Sequence, residues 1–77
     1  MNVQVKFFGN LVEVVGTDTL QLQDVSDTDS LRRKMILDFP RLRNYSFAIA
    51  VDKKITKENQ LLSSGNVVAF LPPFAGG

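Results

Sequence analysis

The sequence predicts an α+β fold, a mixed β-sheet packed on one main helix. Three observations carry this. Strand-like runs open and close the chain: Asn2 to Phe8 alternates apolar with polar, and Val67 to Leu71 is apolar throughout. One helical stripe lies between them, with Leu31, Met35 and Phe39 at i, i+4 and i+8. Short strand patterns flank that stripe on both sides, so the order is β-β-α-β-β-β with a single principal helix.

Composition bounds what such a chain does. Its 77 residues make one domain, of a size that buries about 60% of the unfolded surface. Apolar residues are 44%, enough for a core without staples. There is no cysteine, which excludes disulfides, thiolate metal sites and a cysteine nucleophile. There is no histidine, which removes the commonest general base and metal ligand. Nine basic and eight acidic side chains give a net charge of +1, so no electrostatic case exists for nucleic acid or membrane as a partner. The N-terminus begins a strand rather than a signal peptide, and no apolar run reaches transmembrane length. A soluble cytoplasmic protein is expected.

In chain order, Val3, Val5 and Phe7 point to one side of the first strand, and Gln4, Lys6 and Phe8 to the other. Phe8 breaks the polar face. Gly9-Asn10 is a turn signal. Leu11 to Val15 is open to two readings, a strand or one helical turn with Leu11, Val14 and Val15 inward, and Gly16 ends it. Thr17 to Gln23 alternates again, pairing antiparallel with the first strand. Asp27 or Thr28 caps a helix running from about Asp29 to Phe39, which Pro40 terminates. Arg32-Arg33-Lys34 reads as its solvated side.

Arg41 to Ser46 is a connection, and Phe47 to Val51 a strand with alanine at alternate positions. Asp52-Lys53 is a turn, and Lys54 to Thr56 a short charged edge strand. Lys57 to Ser64 is a polar excursion anchored by Leu61 and Leu62, and Gly65-Asn66 turns into the final strand. The single helix crossing between a hairpin and later strands places the first and last strands side by side, central and parallel. That is a β-grasp, ubiquitin-like architecture. In the last strand Val68 and Phe70 face one way, and Val67, Ala69 and Leu71 the other. One helix covers only one face. The uncovered apolar face, with Phe8, argues for docking.

Beyond the domain, assigned to residues 1–71, residues 72–77 read as an extended tail, Pro72-Pro73-Phe74-Ala75-Gly76-Gly77. Prolines favour a polyproline-type lead-in, and a Gly-Gly end carries no Cβ that would bar it from a narrow channel. Fully extended, the six residues reach roughly 20 Å. The pattern suits a compact body that delivers its terminal carboxylate into another protein's active site. A frayed terminus is the alternative.

Val5-Lys6-Phe7-Phe8-Gly9, the Leu31-Arg32-Arg33-Lys34-Met35 helix, Ala50-Val51-Asp52 and the ending Val68 to Gly77 together resemble the molybdopterin synthase small subunits, sulfur carriers of molybdenum cofactor synthesis. The likeness spans essentially the whole chain. Gly-Gly alone is shared with ubiquitin, the thiamine sulfur carrier and ubiquitin-related modifiers; Pro-Pro-x-x-Gly-Gly after an apolar strand is more specific. There are departures: Val12 where the family often has arginine, Asp52 where asparagine is common, and Ser64-Gly65-Asn66 in place of an Asp-Gly-Asp turn.

The resemblance implies that an ATP-dependent adenylating enzyme activates the Gly77 carboxylate. A persulfide sulfur then displaces AMP, leaving a thiocarboxylate. The tail, with Gly76 and Gly77 leading, inserts into a large synthase subunit and donates sulfur to a pterin precursor. It also implies a partner interface of Phe8, Val67, Ala69, Leu71, Pro72, Pro73, Phe74 and Ala75, with no cofactor bound by this chain. Three competing readings use the same residues. A protein modifier or tRNA-thiolation carrier needs the same tail chemistry. A non-covalent ubiquitin-like module has no use for a Gly-Gly end. A free-standing enzyme lacks any acid–base or metal constellation to work with.

Overall fold

A computed structural model of the chain describes residues 2–73. Its strands are β1 (Asn2–Phe7), β2 (Thr19–Gln23), β3 (Ala48–Val51), β4 (Lys54–Thr56) and β5 (Val67–Leu71). Its helices are α1 (Leu11–Val15), α2 (Thr28–Asp38) and a 3₁₀ segment, Pro40–Asn44. The strands form one mixed sheet in the order β2-β1-β5-β3-β4. β1 and β5 are central and parallel, with Val5 beside Val68 and Phe7 beside Phe70. The β1–β2, β3–β4 and β3–β5 pairs are antiparallel. This is the expected β-grasp arrangement.

The two readings of Leu11–Val15 resolve in favour of the helix. Leu11, Val14 and Val15 are buried at i, i+3 and i+4, a spacing that only a helical turn brings to one side. Gly16 closes the turn with φ 90°, its N–H donating to the Val12 carbonyl at 2.7 Å. The main helix runs one residue earlier at each end than its sequence pattern predicts. Asp27, in extended backbone, is the N-cap, and its carboxylate accepts the Ser30 N–H at 2.8 Å. Phe39 falls outside the helix and is only half-buried, so Leu31 and Met35 carry the stripe into the core.

Pro40 stops α2 and opens the 3₁₀ segment, the first-turn position where its missing N–H costs nothing. That segment is more than a connection. Leu42 within it has no exposed surface and belongs to the core. The core lies between the sheet and the helices, with Val3, Val5, Val68 and Phe70 fully buried from the central strands. The Phe70 ring stacks on Phe47 at 4.8 Å and meets Phe7 tilted at 5.3 Å. Arg32 lies on the outer side of this aromatic group, its guanidinium 5.0 Å from the Phe47 ring centre. Lys34 pairs with Asp38 one turn on, at 3.3 Å. Arg32, Arg33 and Lys34 are all exposed, a solvated face as their pattern indicates.

The polar excursion after β4 closes over the start of α2. Thr28, the buried polar residue of the core, donates its hydroxyl to Asn59 Oδ1 at 3.3 Å and accepts the Gln60 N–H at 3.0 Å. Asn59 also accepts the Asp29 N–H and donates to Asp27 Oδ2. Hydrogen bonds from Ser30 and Asn59 to the Asp27 carboxylate hold its pKa below the ordinary value. Of the two leucines expected to anchor this excursion, only Leu62 does so, at 6% exposure; Leu61 is 78% exposed. Leu61 sits in a β-bridge with Asp27, and successive side chains of an extended segment point to opposite sides.

Candidate functional site

The helices cover one face of the sheet and leave the other open. Registration fixes what the open face displays. One row runs Thr19, Lys6, Ala69, Ala50, Ile55 across all five strands. The rows beside it hold Gln21, Gln4 and Val67, and Leu71 with Ala48. The β2–β1 side is therefore polar, and the β5–β3–β4 side apolar. Alternation within β5 is sharp: Val68 and Phe70 are fully buried, whereas Val67, Ala69 and Leu71 are only half-buried. Phe8, just past β1, is 42% exposed. Phe8, Val67, Ala69 and Leu71 thus share the face that the helices leave open.

Two concavities shape this face. The first, about 340 Å³, is lined by Lys6, Phe8, Asp52, Lys53, Val67 and Ala69. The second, about 270 Å³, is lined by Phe47, Ala48, Ile55, Leu71, Pro72 and Pro73 with Ser46. Together they run from Phe8 past β5 to the root of the tail. Lys6, Lys53 and Ile55 belong to this surface although sequence reasoning passed them over. Lys6 has the parity of Gln4 and Phe8, so alternation places it on the open face. Ile55, at 61% exposure, is the apolar exception in an otherwise charged edge strand.

The tail root is packed. Pro72 is buried, and Pro73 is exposed. Pro72 sits against Gly9, where a Cβ would stand 2.8 Å from Pro72 Cγ. Gly9 has φ +59°, so close approach and backbone conformation both favour glycine there. The start of the tail is thereby tied to the end of β1. Phe74, Ala75, Gly76 and Gly77, the remaining expected site residues, lie outside the described residues.

The Asp52-Lys53 turn organises the other end of β5. Both residues adopt positive φ, 48° and 75°. The Asp52 carboxylate accepts the Val67 N–H at 2.9 Å and the Asn66 side-chain amide at 2.7 Å. The Asn66 carbonyl oxygen in turn accepts the Ser63 N–H at 2.6 Å. Two of the departures from the family pattern, Asp52 and Asn66, are therefore one hydrogen-bonded unit. Val12, the third, is half-buried and lines a concavity beside Phe8.

Among the described residues, no group of three or more His, Cys, Asp or Glu side chains is placed to hold a metal ion. No helix among them is long and apolar enough to cross a membrane. What the described surface offers is shape and apolar area for a partner, next to the root of the tail.

Comparison with known proteins gives a family by sequence and, by fold, neighbours of more than one kind, among them the small archaeal modifier protein 1 of Methanosarcina acetivorans, with a TM-score of 0.85 at 23% identity over 99% of this chain and 96% of that one. The ThiS family model matches residues 5–77. The chain is 31% identical over 80 residues to the molybdopterin synthase sulfur carrier subunit of Escherichia coli, spanning 97% of this chain and 99% of that one. Among solved structures, a putative molybdopterin converting factor subunit 1 from Pyrococcus furiosus superposes with a TM-score of 0.88 at 19% identity, over 96% of this chain and 99% of that one. The complex of subunits 1 and 2 of the molybdopterin-converting factor from Helicobacter pylori matches with a TM-score of 0.77 at 28% identity, covering both compared chains in full, at 100% each.

Proposed function

The chain belongs to the ThiS family, and from that membership we propose that it is a sulfur carrier of molybdopterin synthesis, the small partner in a two-subunit synthase. The observation that carries this reading is the full-length relationship to the Escherichia coli sulfur carrier subunit. The Helicobacter pylori complex of subunits 1 and 2 supports a larger subunit as the partner, and the open apolar face supports where it docks.

In this reading the reacting group is the Gly77 carboxylate. A carboxylate is a poor electrophile because its oxygen leaves badly. An adenylating enzyme corrects this: a carboxylate oxygen attacks the α-phosphorus of ATP, pyrophosphate departs, and the acyl-adenylate has AMP as its leaving group. The terminal sulfur of a persulfide then attacks the carbonyl carbon and expels AMP. A thiol cleaves the S–S bond of the resulting acyl disulfide, leaving the thiocarboxylate on Gly77. In the large subunit that sulfur attacks a carbon of the pterin precursor and displaces an oxygen substituent, forming a thioester to Gly77. Water then cleaves the acyl C–S bond, restoring the Gly77 carboxylate and leaving the sulfur on the pterin, and two such donations build a dithiolene. This chain contributes the sulfur and its placement. Bases and phosphate-binding groups belong to the partners, consistent with a sequence that has neither histidine nor cysteine.

The test is reconstitution. Protein carrying a chemically made Gly77 thiocarboxylate, mixed with the purified large subunit and the pterin precursor, should yield dithiolene. Protein lacking Gly77, prepared with a thiocarboxylate on Gly76, should transfer sulfur far more slowly. Equal rates would show that the length of the tail does not position the sulfur, and no dithiolene from either protein would make a non-covalent ubiquitin-like module the better reading.

A further inference from the structure

The concavity formed by Phe8, Val67 and Ala69 has a feature that apolar docking alone does not use. Lys6 and Lys53 both line it, reaching it from β1 and from the β3–β4 turn. Among the described residues neither has a carboxylate within salt-bridge distance, and the ion pair within 4.0 Å is Lys34 with Asp38. The other ionic group lining the concavity, Asp52, is already engaged by the Val67 N–H and the Asn66 amide. Asp18 lines a neighbouring concavity with Lys6 and Phe8 without pairing with Lys6. Along the paired strand positions of the open face, Lys6 is the one ionic side chain, and no carboxylate occurs. An apolar depression is thus rimmed by two positive charges without ionic partners among the described residues.

We propose that the Phe8–Val67–Ala69 concavity, flanked by Lys6 and Lys53, receives an apolar side chain from the large synthase subunit with a carboxylate beside it. This rests on the reading of the open face as the docking surface for that subunit, and it adds the charge of the segment that docks. Lysine suits the role: the aliphatic stem extends the apolar wall while the ammonium reaches the rim. Rim charges of this kind act chiefly on encounter rate and on orientation, so their signature is salt dependence more than raw affinity. Lys6 on β1 and Lys53 in the β3–β4 turn flank β5 from opposite sides. The concavity at Val67 and Ala69 carries both charges and the one at Leu71 is lined by none, so the pairing also sets which way round the large subunit sits on the sheet.

The experiment measures binding of the purified large subunit to wild type and to surface variants whose thermal midpoints match wild type. Lys6→Gln and Lys53→Gln should each weaken binding about threefold, mainly through the association rate. The doubly reversed Lys6→Glu/Lys53→Glu protein should lose on the order of 100-fold. Raising salt from about 0.05 M to about 0.5 M should weaken the wild-type complex and affect the double glutamine variant much less. Lys6→Arg/Lys53→Arg should bind like wild type. Leu71→Asp serves as the control, because it puts a charge in the apolar part of the same face. If Leu71→Asp abolishes binding while the lysine variants keep wild-type affinity and salt dependence, the acidic contact is refuted and the docking face stands. If Leu71→Asp binds like wild type, the docking face itself is wrong, and this inference falls with it.

Discussion

Asp52 and Asn66 form a pair whose polarity is open to inversion, which allows a direct test of how β5 is held. Asp52 Oδ1 accepts the Val67 N–H at 2.9 Å and Oδ2 accepts Asn66 Nδ2 at 2.7 Å, while Asn66 Oδ1 accepts the Ser63 N–H. Asp52→Asn keeps a side chain that tolerates positive φ, but its new amide must face either the Asn66 amide or the Val67 N–H. One hydrogen bond is lost, about 0.5–1.5 kcal/mol, toward the lower end because the site is exposed. Asn66→Asp keeps the acceptor for Ser63 but sets a second carboxylate oxygen against Asp52, adding repulsion to a lost bond, about 1–2 kcal/mol. The doubly exchanged protein regains a donor facing a carboxylate. Urea denaturation of the four proteins should then show a favourable coupling of about 1–2 kcal/mol between the positions. Effects that add within about 0.5 kcal/mol would refute the pairing.

Three further outcomes follow from named contacts. Met35 has no exposed surface beneath the sheet, so Met35→Ala should cost about 2–5 kcal/mol in the same assay, and a loss under about 0.5 kcal/mol would remove it from the core. The Asp27 carboxylate has a pKa depressed below its ordinary 3.8, so its ionised form adds stability above that value, and this stability is lost as pH falls through the depressed one. Asp27→Asn keeps the capping oxygen without the titration, so the difference in thermal midpoint from wild type should be full at about pH 7 and shrink as pH falls below the ordinary 3.8; a difference independent of pH would refute the linkage. Gly76→Ala should leave the thermal midpoint unchanged yet depress AMP release with the adenylating enzyme by on the order of 100-fold, since small misplacements of reacting atoms cost that much; an unchanged rate would show that the channel accepts a Cβ.

Much of this architecture is legible in the sequence because local periodicity and tertiary burial agree. Alternation in β1 and the two-sided apolar run of β5 reflect one buried and one open face, and the structure shows that division residue by residue. Leu11–Val15 is ambiguous because five residues satisfy strand propensity and one helical turn equally; burial of Leu11, Val14 and Val15 decides it. Leu42 escapes notice because charged neighbours surround it in a segment too short for a period. Leu61 and Leu62 look equivalent as a pair, and only the bridge to Asp27 shows which one faces the core. The open apolar face is foreseeable from Phe8 and β5. The meeting of Lys6 with Lys53, and of Asp52 with Asn66, is not, because each depends on how distant strands and turns come together.

Intact mass of the protein purified from its native host bears most directly on the carrier chemistry. The account predicts two populations in cells making molybdenum cofactor, one with the ordinary Gly77 carboxylate and one heavier by the exchange of a single oxygen for sulfur. Fragmentation should place the sulfur on Gly77. A terminus carrying only the carboxylate under those conditions, or Gly77 recovered in amide linkage to lysines of other proteins with no thiocarboxylate present, would contradict it.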